Sequence, residues 1–111
     1  MPELQQLHCK ACDKSTTPLN DHEINEFLPE VDGWQVIKEQ GINKLTRQFN
    51  TKNYGHSIAF SNAVAELAGS VNHHPLMVVE YDSVTVVWWS HNIKGLHKND
   101  FIMAAKTSIL F

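Results

Sequence analysis

The sequence is short of the features that mark membrane, secreted and nucleic-acid-binding proteins. Its longest strongly apolar run, residues 84–89, is far too short to span a bilayer. The first residues carry no basic region followed by an apolar core, so we expect no signal peptide and a cytoplasmic protein. Nine Lys and Arg are dispersed among twelve Asp and Glu, and this lack of a basic stripe predicts no direct nucleic-acid contact.

Cysteine is scarce as well, with only Cys9 and Cys12, which form a CxxC motif directly after His8. A CxxC motif can be a redox centre or half of a zinc site. The strand before and the helix after that accompany a thioredoxin-like motif are missing, and no second CxxC supplies further ligands. We interpret the two cysteines as a reduced pair without a function, and a metal site completed by His8 or His22 as the weaker alternative.

The 111 residues, 42% hydrophobic and 19% charged, fit one globular domain. Residues 1–19 are polar and aperiodic, which predicts an N-terminal extension before a domain over residues 20–111. Asn20 and Glu23 have the spacing of a capping box, so a helix is expected over residues 21–29. Phe60, Val64 and Val71 belong to an apolar stripe of helical period, which predicts a long helix over residues 53–71.

Strands are predicted over residues 34–38, 44–49, 76–81 and 84–89, and a closing helix capped by Asn99 or Asp100. The element order is α-β-β-α-β-β-α. We therefore expect an α+β fold, with a four-stranded antiparallel sheet and the helices packed on one face. The second face of the sheet also needs cover, which favours a partner subunit that pairs with an edge strand.

Seven histidines are present, and three of them flank the predicted second hairpin. His73 and His74 come before Pro75 and the first strand, and His91 follows the second strand. A tight turn at Asp82-Ser83 would pair residue 75 with residue 90. The sequence therefore predicts that the three imidazoles meet, and imidazole is both an acid and a base near neutral pH.

Other interpretations of these residues stay open. Three histidines are also a zinc ligand set, although adjacent histidines diverge and seldom chelate one ion, so we expect no metal. The remaining histidines, His22, His56 and His97, are interpreted as solvated or bonded to the backbone. Asp100 is either a helix cap or a carboxylate that orients a histidine. At least two of Trp34, Trp88 and Trp89 are interpreted as core residues, and one exposed ring beside the histidines would stack on a flat heterocycle.

The combined pattern resembles the pterin-4a-carbinolamine dehydratase family, bacterial branch, over roughly residues 20–108. The resemblance rests on Asn72-His73-His74-Pro75, on Tyr81, and on the run from Trp88 to Phe101 that holds His91 and Asp100. It implies dehydration of a 4a-hydroxytetrahydropterin to the quinonoid dihydropterin, which recycles tetrahydrobiopterin. His73, His74 and His91 match the family's three active-site histidines. The candidate substrate-binding residues are Asn72, Pro75, Ser90, Asn92, Trp34 and Asp100.

The resemblance further implies a pterin as the small-molecule partner, no cofactor, no membrane contact, and a homodimer or homotetramer. The family usually has an acidic residue four positions before the first histidine, and this chain has Gly69 there. Glu66 and Glu80 are the nearest acidic alternatives. We therefore expect dehydratase activity that is reduced or directed at a different pterin. A dimeric binding or coactivator-type protein without strong catalysis is the alternative from another class.

Overall fold

The computed structural model describes residues 3–7 and 16–111 and has the predicted element order. Three helices alternate with two pairs of strands. The helices are α1 (Asp21–Phe27), α2 (Tyr54–Val71) and α3 (Lys98–Leu110), and the strands are β1 (Gln35–Glu39), β2 (Ile42–Asn50), β3 (Leu76–Val79) and β4 (Ser83–Trp88). Short 3-10 turns span Leu4–Gln6, Leu28–Glu30 and His91–Ile93. Among the described residues, no helix is both long and apolar enough to cross a membrane.

The four strands form one antiparallel sheet in the order β1-β2-β4-β3, which confirms the predicted α+β fold. The β1–β2 turn is Gln40-Gly41, and both residues have positive φ, as a two-residue hairpin of matching twist requires. Strands β1 and β3 lie at the edges. The two central strands are β2 and β4.

The core lies between one face of this sheet and the helices. Leu45 and Phe49 of β2, and Val84, Val86 and Trp88 of β4, point into it and are almost completely buried. Intervening residues such as Lys44, Thr46 and Thr85 point to the opposite face, since successive strand side chains alternate. No helix within residues 3–7 and 16–111 packs on that opposite face, and we refer to it as the open face.

The register of the second hairpin corrects the predicted one. Leu76 pairs with Val87 and Val79 with Val84, and the Glu80 N–H donates to the Ser83 carbonyl at 2.8 Å. The turn is therefore centred on Tyr81-Asp82, and β4 starts at Ser83. Continued beyond Leu76, this register places residue 73 opposite residue 90, whereas the predicted turn placed residue 75 there.

The helix ends show one confirmation and one correction. The Asn20–Glu23 capping box is present at α1, with both reciprocal hydrogen bonds. The N-cap of α3, however, is His97 rather than Asn99 or Asp100, and its Nδ1 accepts a hydrogen bond from the Asn99 N–H at 3.0 Å. Histidine is not among the usual capping residues, which explains why a search for Asn and Asp caps passed over it.

The division between extension and domain at residues 19 and 20 stays a prediction. The described parts of the proposed extension contact the domain, since Leu4 belongs to the core with 5% of its surface exposed. The Leu19 N–H donates to the Leu96 carbonyl at 2.8 Å. The CxxC motif of Cys9 and Cys12 lies outside the described residues.

Candidate active site

A fully buried carboxylate, Asp100, lies in the first turn of α3 and organises the candidate site. One of its oxygens, Oδ2, accepts hydrogen bonds from the Ser90 hydroxyl at 2.8 Å and from the backbone N–H of His97 at 2.9 Å. The other oxygen, Oδ1, lies 2.6 Å from Nε2 of His73. Asp100 is therefore the N3 member of the α3 capping box, rather than its N-cap as predicted, and it is also the partner of a histidine.

His73 reaches this carboxylate because α2 ends immediately before it. Asn72 adopts the left-handed conformation, φ 52°, that commonly terminates a helix, and the His73 N–H still bonds to the Ala68 carbonyl at 3.3 Å. The chain then turns into Pro75 and β3. The imidazole stacks on Trp88 with ring centroids 5.4 Å apart and 26° between the planes. The side chain keeps 18% of its surface exposed, so it is held firmly but remains reachable.

An ionised Asp100 fixes the tautomer of neutral His73. Ser90 and the His97 backbone both donate to the carboxylate. An ionised Asp can only accept hydrogen bonds. Nε2 of His73 is then the donor in the third bond. In a neutral ring the lone pair therefore lies on Nδ1, where the imidazole can act as a base. Asp100 can stabilise the imidazolium that forms when this atom takes a proton.

His91 is adjacent to this group along the chain but is held differently. It directly follows Ser90, which is buried and bridges to Gly95 through a 2.8 Å hydrogen bond. Its exposed side chain stacks on Trp89, with centroids 4.2 Å apart and an interplanar angle of 16°. Trp89 alternates with Trp88, so its ring and that of His91 lie towards the open face.

The remaining predicted residues are distributed unevenly around this group. His74 is exposed and adjacent to His73, and Pro75 is half-buried at the start of the β3 segment. Asn72 is exposed at the end of α2, and Asn92 is exposed in the 3-10 turn His91–Ile93. The structure does not bring Trp34 to the cluster, because its ring is buried against Phe49 and its Nε1 donates to Ser108 at 2.8 Å. Ser108 lies eight residues along α3 from Asp100, about 12 Å at helical rise.

Gly69, the position at which the resemblance predicts a carboxylate, is open to solvent. A Cβ atom added at Gly69 would meet nothing within 4 Å. Neither acidic alternative is placed with the cluster. Glu66 is exposed almost two helical turns before His73, and Glu80 accepts from Ser83 in the turn at the opposite end of the hairpin.

Three supporting residues were not assigned these roles from the sequence. Trp88 and Trp89 each stack on a histidine, and His97 caps the helix that carries Asp100. The spacing of His97 and Asp100 is that of a capping box, a signal that points to the cap once histidine is allowed as an acceptor. The two stacks depend on tertiary packing and have no local signature.

Two further features of the surface bear on the kind of site. Across residues 3–7 and 16–111, no group of three or more His, Cys, Asp or Glu side chains is arranged to hold a metal ion. A hollow of about 480 Å³ lies elsewhere on the sheet and is lined by none of the candidate residues. Its lining consists of Gly33, Gln35, Thr46, Arg47, Gln48 and Thr85.

Known proteins with similar sequences and structures point to one family. The family model for pterin 4 alpha carbinolamine dehydratase matches residues 17–110. A Photobacterium profundum protein with the provisional name pterin-4-alpha-carbinolamine dehydratase is 49% identical over 107 residues, 96% of either chain. A Nitrosococcus oceani protein with the same provisional name is 44% identical over 110 residues, 99% of this chain and 97% of its own.

Two solved structures are similar as well. A transcriptional coactivator/pterin dehydratase from Brucella melitensis superposes with a TM-score of 0.76 at 32% identity, over 85% of this chain and 98% of its own. A pterin dehydratase-like protein identified as a RuBisCO assembly factor in the alpha-carboxysome shares the fold, with a TM-score of 0.59 at 19% identity over 70% and 88% of the two chains. On the family match and these identities, the chain belongs to the pterin 4 alpha carbinolamine dehydratase family.

Proposed function

We propose that the protein dehydrates a 4a-hydroxytetrahydropterin to the quinonoid dihydropterin and water in the cytoplasm, by acid and base catalysis from histidines. The observation that carries the proposal is the 2.6 Å contact between His73 and the fully buried Asp100. It fixes an accessible imidazole whose free nitrogen is a base. Family membership supplies the substrate class, and tetrahydrobiopterin recycling is the process that such a reaction serves.

The reaction needs two proton transfers, and the candidate residues are of the type that perform them. The C4a–O bond breaks as the hydroxyl accepts a proton and leaves as water. The adjacent ring nitrogen loses its proton as the C=N bond forms. One acid donates and one base accepts, so the reaction is balanced without a cofactor. Proposed catalytic residues are His73, His74 and His91; Asn72, Pro75, Ser90 and Asn92 are proposed to surround the pterin, and Asp100 to orient His73.

The test is stopped-flow measurement of carbinolamine dehydration, corrected for the spontaneous reaction, with His73→Ala, His74→Ala and His91→Ala. Positioned proton transfer contributes about 10²–10⁴-fold, so removal of an essential histidine should lower kcat by a factor in that range. His22→Ala is the matched control, because His22 is exposed on α1 and pairs with Glu26 in the i, i+4 position. Wild-type rates in all three site variants would refute histidine catalysis and favour the binding or coactivator-type alternative.

We also propose that the chain forms a homodimer or homotetramer through β3. This edge strand exposes 49% of Leu76 and 45% of Val78, and both lie on the open face. An uncovered apolar edge strand favours pairing with another chain. Val78→Lys should shift the protein to a smaller species in light scattering coupled to size exclusion, whereas Lys38→Met, on the other edge strand, should not. A wild-type monomer at micromolar concentration would contradict the proposed assembly.

A further inference from the structure

Trp89 directly follows β4, and its ring contacts both Lys44 of β2 and the candidate catalytic residue His91. The antiparallel pairing of Leu45 with Trp88 places Lys44 opposite Trp89 on the open face. Nζ of Lys44 lies 4.2 Å from the centroid of the Trp89 ring, and it also pairs with Glu39 at 3.3 Å. Lys44, whose side chain is only 16% exposed, therefore restrains the indole from its position in the β1–β2 hairpin.

His91 needs such a restraint more than His73 does. His73 is fixed by a hydrogen bond to a buried carboxylate and by a stack on Trp88. His91 is exposed, and the contact that the structure gives its ring is the near-parallel stack on Trp89. Catalysis depends on the placement of the reacting atoms, and a displacement of about 1 Å can lower a rate about 10²-fold. An exposed imidazole that samples several rotamers would seldom occupy the reactive position.

We infer that Trp89 is a positioning residue, which holds the His91 imidazole in its reactive orientation through ring stacking and is itself held by Lys44. This inference rests on the proposed dehydratase function. Trp89 does not exchange a proton, since its only polar group is an indole N–H. Its effect must therefore be exerted through His91, and that dependence can be measured.

The test is a double-mutant cycle with Trp89→Leu and His91→Ala, read as kcat for carbinolamine dehydration. Trp89→Leu should lower kcat about 10- to 100-fold in the wild-type background, because the imidazole loses its placement. In the His91→Ala background the same substitution should have almost no effect, since nothing remains to be positioned. Trp89→Phe keeps an aromatic face and should restore most of the rate.

Nuclear magnetic resonance gives a second measurement that does not depend on turnover. The ring protons of His91 should be shifted upfield by the indole in wild type and in Trp89→Phe, and the shift should disappear in Trp89→Leu. Lys44→Met should reduce the upfield shift of the His91 signals, but by less than Trp89→Leu does. The methionine keeps an apolar side chain over the indole, and only the charge is lost. Lys38→Met, an exposed lysine of β1, is the control and should leave them unchanged.

Three results with Trp89 and one with His91 would overturn the inference. The first three are an unshifted His91 spectrum in wild type, an unchanged kcat in Trp89→Leu, and an equal loss from Trp89→Leu in both backgrounds of the cycle. A His91→Ala variant with the wild-type rate would also overturn it, while a loss in His73→Ala would leave the proposed function standing. Failure of the proposed function would give a different result, because the wild-type protein itself would then not accelerate dehydration.

Discussion

Replacement of Asp100 by Asn should prevent Nδ1 of His73 from acting as a base while it preserves the shape of the site. The amide oxygen and the NH₂ group must occupy the positions of the two carboxylate oxygens, Oδ1 and Oδ2. The atom at the Oδ2 position faces the Ser90 hydroxyl and the backbone N–H of His97, at 2.8 and 2.9 Å. A backbone N–H cannot become an acceptor, so the amide oxygen stays there. The NH₂ group then faces Nε2 of His73, which has to accept, and the proton of a neutral ring moves to Nδ1.

The magnitude of each consequence follows from these contacts. With Nδ1 protonated, His73 cannot act as a base there, so kcat should fall by about 10²–10⁴, the usual contribution of positioned proton transfer. The two hydrogen bonds from Ser90 and His97 change from a charged to a neutral acceptor, each weaker by about 1 kcal/mol, and the contact with His73 becomes a bond between neutral groups. Relief from burying a charge offsets part of this loss. We expect a net destabilisation below about 3 kcal/mol, within the usual 5–15 kcal/mol stability of a domain.

The assay combines stopped-flow dehydration with ¹⁵N spectra that assign the protonated nitrogen of each histidine. Asp100→Asn should show reduced turnover, a folded spectrum and a His73 proton on Nδ1. Asp82→Asn, an exposed aspartate in the β3–β4 turn, controls for the chemical change alone and should retain the wild-type rate. A rate within about threefold of wild type, or a His73 proton that stays on Nε2 in Asp100→Asn, would refute the tautomer argument.

Substitutions at three further positions test the surroundings. Gly69→Ala should stabilise the protein by about 0.5–1 kcal/mol in urea unfolding, since its Cβ meets nothing within 4 Å. Gly69→Glu should raise the dehydration rate if the missing carboxylate limits it, and an unchanged rate would show that the site works without one. Leu4→Ala should cost about 2–3 kcal/mol in urea unfolding, because Leu4 is buried in the core; a change near zero would contradict that packing. His97→Ala should lower the melting temperature through a cap loss of about 1 kcal/mol, while His97→Asn should keep the cap, and equal melting temperatures would contradict the capping role.

Local patterns predicted most of the fold because its elements follow simple periodicities. Phe60 and Val64, chosen for their helical spacing, are buried against the sheet. Asn20 and Glu23, chosen for their spacing alone, form the capping box. In both cases neighbours along the chain determine the outcome, so no tertiary information is needed.

The hairpin register could not be predicted in the same way. The observed pairing of Leu76 with Val87 differs from the predicted one by two residues along β4. A shift of two keeps every side chain on its own face, so the hydrophobic pattern fits both registers equally well. Only the turn distinguishes them, and Tyr81-Asp82 occupies it rather than Asp82-Ser83. Both registers place the histidine pair near the end of β4, so that part of the prediction does not depend on which register is adopted.

The candidate site required tertiary contacts that spacing does not encode. Asp100 and His73 are 27 residues apart, and their bond depends on where α2 ends and α3 begins. The adjacent Trp88 and Trp89 then turn to opposite sides of the chain. Trp88 donates to Thr107 in the helical layer at 3.1 Å, whereas Trp89 meets Lys44 on the open face. His73 and His91 are thus held on different sides of β4. A pterin that touches both imidazoles would have to lie across the end of that strand, over Ser90, rather than on either face of the sheet.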